Sequence, residues 1–234
     1  MRIRVITFDL DNTLWDVEPA LLRAEEAQRS WLLQHRPGAV EAIDHDALWT
    51  VKKRVWKSHP ELAHNVTALR KVLLTELQLD AGYTDSEARS GADAAFAAFI
   101  EERQRVELYS NALAVLEVLA QNYRLGALTN GNADVFRTDA GEYFDFAYLA
   151  EEVGASKPAP ALFDAALERT GAAPREVLHV GDNPEHDVLG ALDAGMRAVW
   201  LNADGLHWKH EGEPDAIIAS LDDLPPAVEE LQPD

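Results

Sequence analysis

Arg2-Ile3-Arg4-Val5-Ile6-Thr7-Phe8-Asp9-Leu10-Asp11-Asn12-Thr13 runs from a β-branched and aromatic stretch into two carboxylates. The composition of residues 2–8 predicts a strand. Asp9 and Asp11, spaced by two at its end, point to the same side of the backbone. In open α/β sheets ligands bind at the carboxyl ends of strands. Two acids placed there are electrostatically costly unless a cation or a chemical role offsets them. Taken alone, the pattern also reads as a solvated turn after a strand. It does not read as a calcium loop. Counted from Asp9, the sixth position needs Gly and the twelfth Glu, and these hold Leu14 and Ala20.

Outward from this stretch, short apolar runs at 124–129, 177–180, 198–201 and 216–218 predict further strands. Helical patterns at 112–119, 159–170 and 187–194 lie between them. Strands alternating with helices imply right-handed crossovers and an α/β fold with a mainly parallel sheet. Between the first strand and the rest, stretches such as 19–33 and 91–106 are rich in Ala, Leu, Glu and Arg at helical spacing. The expected organisation is a core of residues 1–16 and 110–234 with a helical insertion over 17–109.

The 234 residues are 47% apolar and 26% charged, enough for a buried core and ordinary in charge content. The balance is acidic, net −20, which argues against a general nucleic-acid binder or a protein docked on an anionic membrane. More than half of the cations, 12 of 21, lie in 15–110, whereas 211–234 holds 8 acids and no Lys or Arg. Absence of Cys excludes disulfides, thiolate metal sites and a Cys nucleophile. The amino terminus, interrupted by Asp9 and Asp11, is unlike a signal peptide, and no apolar run approaches a membrane span. A cytoplasmic protein is expected.

Three more stretches carry chemistry. Leu128-Thr129-Asn130-Gly131-Asn132 ends the second strand, placing a hydroxyl at the same sheet rim, with Gly131 letting backbone N–H groups curl toward an anion. Asn-Gly is also a hairpin signal, but a helical rather than a strand pattern follows. Ser156-Lys157-Pro158 sets a lone Lys ahead of a helix. His179-Val180-Gly181-Asp182-Asn183-Pro184-Glu185-His186-Asp187 runs from a strand into Gly and two acids, with Asp187 placed to cap a helix. Each is commonplace alone. Together they put carboxylates, one Lys and one hydroxyl at one sheet edge. That set suits Mg²⁺, which takes oxygen ligands and works with phosphate, and an Asp beside it can attack phosphorus.

The four motifs, in this order and spacing, resemble the haloacid dehalogenase-like hydrolase superfamily over nearly the whole chain. The resemblance implies a Rossmann-like, doubly wound sheet with the insertion serving as a mobile cap. It implies Asp9 as nucleophile and Asp11 as general acid/base. Thr129, Asn130 and Lys157 would bind the phosphoryl group. Mg²⁺ would be held by Asp9, Asp182 and the Asp11 carbonyl, with Asp187 supporting from behind. Dehalogenases of the superfamily lack the second Asp of the first motif, so Asp11 points to a phosphatase of a small phosphate monoester. Stretches 128–133, 178–182 and 64–74 look like bacterial phosphatases acting on flavin mononucleotide and the ribitylaminouracil phosphate of riboflavin synthesis. The chain is also similar to nucleotide and acylneuraminate phosphatases. The expected partner is a small phosphorylated metabolite, and the protein a monomer or homodimer.

Other conspicuous residues have two readings each. Lys52, Lys53, Arg54 and Lys57 form either a solvated helix face or a patch meeting an anionic substrate. Trp31, Trp49 and Trp56 either fill a helical core or stack on a flat ring, and Trp15 either packs in the core or lines an entrance. His207 and His210 lack the partners of a metal site. His179, inside a strand, reads as a satisfied core residue. Two rival functions use similar chemistry. A phospho-receiver domain carries adjacent acids and no insertion. A phosphomutase returns the phosphoryl group to a sugar.

Overall fold

The computed structural model describes residues 1–41 and 45–232. The chain forms two compact units, Met1–Asp16 with Glu107–Asp234, and Val17–Val106.

In the first unit six strands form one sheet: β1 (Val5–Phe8), β2 (Arg124–Thr129), β3 (Phe146–Leu149), β4 (Val177–Gly181), β5 (Arg197–Leu201) and β6 (Ala216–Ile218). Their order is β3-β2-β1-β4-β5-β6 and every neighbouring pair is parallel. The predicted α/β class with a doubly wound parallel sheet is therefore the observed one. Because the chain starts in the middle and fills first one edge and then the other, β1 sits at the switch in strand order. There the connections leaving β1 and β4 run to opposite sides and open a crevice. The two central strands are buried on both faces, as a parallel sheet covered by helices requires: Val5, Ile6 and Phe8 on β1, Val177, Leu178 and Val180 on β4. Leu162, Phe163 and Ala166 of helix Ala161–Thr170 pack with Val177 and Trp200 in one apolar cluster.

Three local features differ from expectation. β3 carries too little pattern to be read from sequence: it is an edge strand of four residues of which only Phe146 is buried. Its ring occupies the space that Gly126 leaves by having no Cβ, an interaction no local pattern announces. After β2 the chain makes single 3-10 turns at Val135–Arg137 and Gly141–Tyr143 rather than a helix. The helix expected at 187–194 is split into a wide π-type turn, Pro184–Leu189, and a short α-helix, Gly190–Asp193. Asn183 rather than Asp187 caps it, its Oδ1 accepting from the N–H groups of Glu185 at 3.0 Å and His186 at 2.9 Å.

The second unit is helical among its described residues, with long helices Val17–His35, His45–Ser58, Val66–Asp80 and Asp85–Arg103. The last starts at a capping box, Thr84 with Glu87, whose carboxylate accepts from the Thr84 N–H at 2.9 Å. Its small residues at helical spacing, Ala88, Ala92 and Ala95, bring it close to its neighbours. Phe96 and Phe99 fill the core with Ala24, Leu32 and Leu74. Trp49 and Trp56 are 45% and 53% exposed, edge to face with one another at 5.8 Å, so neither is a core residue. In the basic cluster, Arg54 is paired with Glu76 and Asp80, and the Lys53 ammonium lies over the Trp49 ring. No helix among the described residues is long and apolar enough to cross a membrane.

Candidate active site

β1 ends at Phe8, and the next residue still pairs with the sheet: the Asp9 N–H donates to the Val180 carbonyl at 2.9 Å. This places the Asp9 side chain over the switch point. Its Oδ1 accepts from the Lys157 ammonium at 2.8 Å. The same ammonium donates to Asp187 Oδ1 at 2.6 Å and to the Leu128 carbonyl at 2.6 Å, so all three of its hydrogens are used. Lys157 is 2% exposed and reaches the site because Asn130, just past β2, clamps its backbone. Asn130 Oδ1 accepts from the Lys157 N–H at 2.8 Å, and Asn130 Nδ2 donates to the Lys157 carbonyl at 3.0 Å.

Asp182 follows β4. The Thr13 hydroxyl sits between the two acids, 3.5 Å from Asp9 Oδ2 and 3.4 Å from Asp182 Oδ1. Trp200 donates its indole N–H to the Asp182 carbonyl at 2.8 Å, tying the residue to β5. Asp187 accepts from the Asn183 N–H at 3.0 Å and fills the space above Gly181, where any Cβ would collide with its carboxyl group. One carboxylate oxygen each from Asp9, Asp182 and Asp187 lie within 4.8 Å of one another.

Two expected residues are arranged differently from these. Asp11 is not in the three-carboxylate group; its Oδ1 accepts from the Trp15 indole N–H at 2.8 Å. Asn12, with φ 61°, turns the chain there, a left-handed conformation that Asn tolerates better than most residues. Trp15 is thereby a fully buried residue with a polar task. Thr129 is buried at the end of β2, and its Oγ1 accepts from the Gly131 N–H at 2.9 Å. The Gly131 N–H is thus engaged within the turn itself. Among the described residues, His207 and His210 join no metal-binding group, and His210 packs edge to face against Trp208.

One ammonium serves two buried carboxylates, with a third beside them. Burial, with Asp187 nearby, pushes Asp9 up to about 8 in spite of Lys157. Burial and Asp187 likewise push Asp182 up to about 6. Burial alone would raise Asp187 too, but Lys157 and His179 hold it well below the usual carboxylate range. Burial would depress Lys157, and its two carboxylate partners outweigh that and raise it. The site is therefore short of positive charge, and its free donors are hard oxygens. A small divalent cation such as Mg²⁺ fits this set on both counts.

The sequence profile of the haloacid dehalogenase-like hydrolases matches residues 3–195. The chain belongs to this family. It is 36% identical over 203 residues to the 5-amino-6-(5-phospho-D-ribitylamino)uracil phosphatase YigB of Escherichia coli (strain K12), covering 87% of this chain and 85% of that one. It is 38% identical over 188 residues to the phosphoserine phosphatase of Thermus thermophilus, covering 77% and 74% of the two chains. The crystal structure of 2-haloacid dehalogenase from Pseudomonas syringae pv. Tomato DC3000 superimposes with a TM-score of 0.93 at 41% identity, covering 97% of this chain and 99% of that one.

Four residues of the site have a role that the sequence did not assign: Thr7, Thr13, Trp200 and Gly181. His179 is the buried, partnered residue it was expected to be, but one of its partners is Asp187, at 3.4 Å. The signal for Thr7 and His179 was available. Each lies two residues before a site position on its own strand, Asp9 after β1 and Gly181 on β4, so period-two alternation puts it on the same sheet face.

Proposed function

We propose that this enzyme, a phosphoric monoester hydrolase of the haloacid dehalogenase-like family, uses Mg²⁺ to dephosphorylate a small metabolite through an aspartyl phosphate on Asp9. The observation that carries this reading is the Lys157 ammonium held between Asp9 and Asp187 at the carboxyl end of β1, with Asp182 in the same cluster. When bound by Asp9, Asp182 and the Asp11 carbonyl, Mg²⁺ would supply the missing positive charge that keeps Asp9 ionised and offsets the phosphoryl oxygens.

Asp9 Oδ attacks phosphorus in line, and the ester P–O bond breaks. Asp11 gives its proton to the leaving alkoxide. Asp11 then takes a proton from water, whose oxygen attacks phosphorus and breaks the P–Oδ bond, freeing orthophosphate and regenerating Asp9. With substrate bound, Lys157 turns the hydrogen it now gives to Asp9 onto a phosphoryl oxygen and the Thr129 hydroxyl binds another, while Asn130 keeps Lys157 in place. Asp187 anchors the ammonium from the other side. In this reading residues 1–16 and 110–234 are the catalytic core and 17–109 the cap.

Similarity to YigB favours 5-amino-6-(5-phospho-D-ribitylamino)uracil as substrate, and flavin mononucleotide, expected from the sequence motifs, carries the same ribityl phosphate. A second reading, 2-haloacid dehalogenase, has in its favour the likeness to the Pseudomonas syringae protein of that name. Asp11 argues against it, since carbon–halogen cleavage needs no acid on the leaving group. The test is a Mg²⁺-supplemented panel of those two phosphates, nucleoside monophosphates, phosphoserine and sugar phosphates, read as free phosphate, beside chloride release from 2-chloropropionate. Phosphate release with no chloride is expected. Chloride alone would overturn the phosphatase reading, and a sugar-phosphate isomer without free phosphate would make the protein a mutase.

A further inference from the structure

Behind the carboxylates, β1 and β4 run side by side with Thr7 directly opposite His179. Both side chains are buried, at 0% and 1% exposure. Thr7 Oγ1 lies 2.8 Å from His179 Nδ1. The other ring nitrogen, Nε2, lies 3.4 Å from Asp187 Oδ1, the same oxygen that accepts from the Lys157 ammonium at 2.6 Å. The Phe163 ring meets the imidazole edge to face at 5.2 Å and limits its rotation.

Strand alternation explains the alignment. Thr7 and Asp9 share one face of β1, and His179 and Gly181 share the matching face of β4. Gly181 contributes no side chain, so the Asp187 carboxyl group lies over it, within reach of the imidazole. An unbroken file of polar groups results: Thr7, His179, Asp187, Lys157, Asp9. A carboxylate only accepts, so the ring nitrogen facing it carries the hydrogen and Nδ1 accepts from the Thr7 hydroxyl.

We propose that His179, backed by Thr7, is a positioning residue for the reaction. It holds the Asp187 carboxylate in the orientation that keeps the Lys157 ammonium beside Asp9. This rests on the reading of Asp9 as the nucleophile. His179 touches neither substrate nor the reacting atoms, so its effect reaches the chemistry only through Asp187 and Lys157.

Thr7→Val, which keeps shape and strand preference, is the mild break, and Thr7→Ser is its rescue. His179→Leu and His179→Gln form the stronger pair. Hydrolysis of p-nitrophenyl phosphate with Mg²⁺ is compared with wild type, with Asp9→Asn as the control. Thr7→Val should lower kcat about tenfold with KM within about twofold, the cost typical of losing a partner behind a functional group. Thr7→Ser should restore most of it, and His179→Gln should exceed His179→Leu. Wild-type kcat in Thr7→Val, or equal impairment in Val and Ser, overturns the proposal. If the wild-type protein hydrolyses no phosphate ester, the phosphatase reading has failed. The NMR signal of the Lys157 ammonium then decides this proposal. Displacement in Thr7→Val but not in Thr7→Ser supports it, and an unmoved signal in both overturns it.

Discussion

The two units use charge in opposite ways. At the carboxyl end of the sheet the important charges are few and buried: Lys157 is 2% exposed, Asp9 8% and Asp187 2%. In the helical unit the charged side chains are numerous and mostly solvated, paired as Arg54 with Glu76 and Asp80, Lys71 with Asp93, and Arg89 with Asp85. Buried charges that are paired and hydrogen-bonded cost much to break, whereas exposed pairs contribute little. The cation-rich segment of the sequence is therefore not where electrostatics matters most. Position in the sheet sets the weight of a charge, not abundance.

The largest expected break is at Asp9. Asp9→Asn should leave at most about a thousandth of wild-type kcat on any phosphate substrate, since the nucleophile acts together with its partners as a unit. Residual activity near wild type in a steady-state assay would remove Asp9 from its proposed role.

Gly181→Ala comes next. The new Cβ has nowhere to go but into the Asp187 carboxyl group, so the variant should lose about 3 kcal/mol of stability by overpacking, read by urea unfolding. It should also lose activity, because Asp187 cannot yield without releasing Lys157. A stable and fully active variant would show that the carboxyl group moves freely.

The third test uses the charge deficit. A divalent cation about 100-fold above its Kd should raise Tm by about 5 °C or more in differential scanning fluorimetry. Asp182→Asn should abolish most of that shift. The same shift in both proteins would place the cation elsewhere.

In the helical unit the expected effects are small. Arg54→Ala removes two ion pairs whose arginine is 45% exposed, and should change stability by less than about 1 kcal/mol with kcat unaltered. A larger loss would erase the contrast between the units. Glu87 offers a pH test. Hydrogen bonds from the Thr84 side chain and backbone hold its carboxyl below the ordinary value of 4.5. A depressed folded-state value means the contribution is present above 4.5 and is lost as pH falls through the lowered value. Glu87→Gln should therefore lower Tm slightly at about pH 7 and do so less at an acid pH below that lowered value. Equal differences at both pH values would deny the carboxylate its part in the cap.

Much of the fold was legible because its signals are local. Strands β1, β2, β4 and β5 are apolar runs, and a parallel sheet with buried inner strands requires such runs. β3 was illegible for the converse reason. As an edge strand it buries one residue, and that residue is placed by the missing Cβ of Gly126, 20 positions earlier. At the site, residues at strand ends could be read from the chain, since a charge closing an apolar run is visible locally. Trp15 was ambiguous in sequence, and only the fold shows its indole serving Asp11. Thr13 could not be assigned at all, because its role depends on where Asp182, 169 residues away, ends up.

By itself the sequence determined the family, the parallel α/β class and the identity of the acids, lysine and hydroxyl at the sheet edge. These follow from side-chain period and from chemistry that a single residue carries. Only the tertiary structure decided how those charges are shared: that one ammonium spans Asp9 and Asp187, that Asp11 turns to Trp15, and that Thr7 and His179 stand behind Asp187. Strand register and burial are properties of residues far apart in the chain. They set both the distance between charges and the medium they act through.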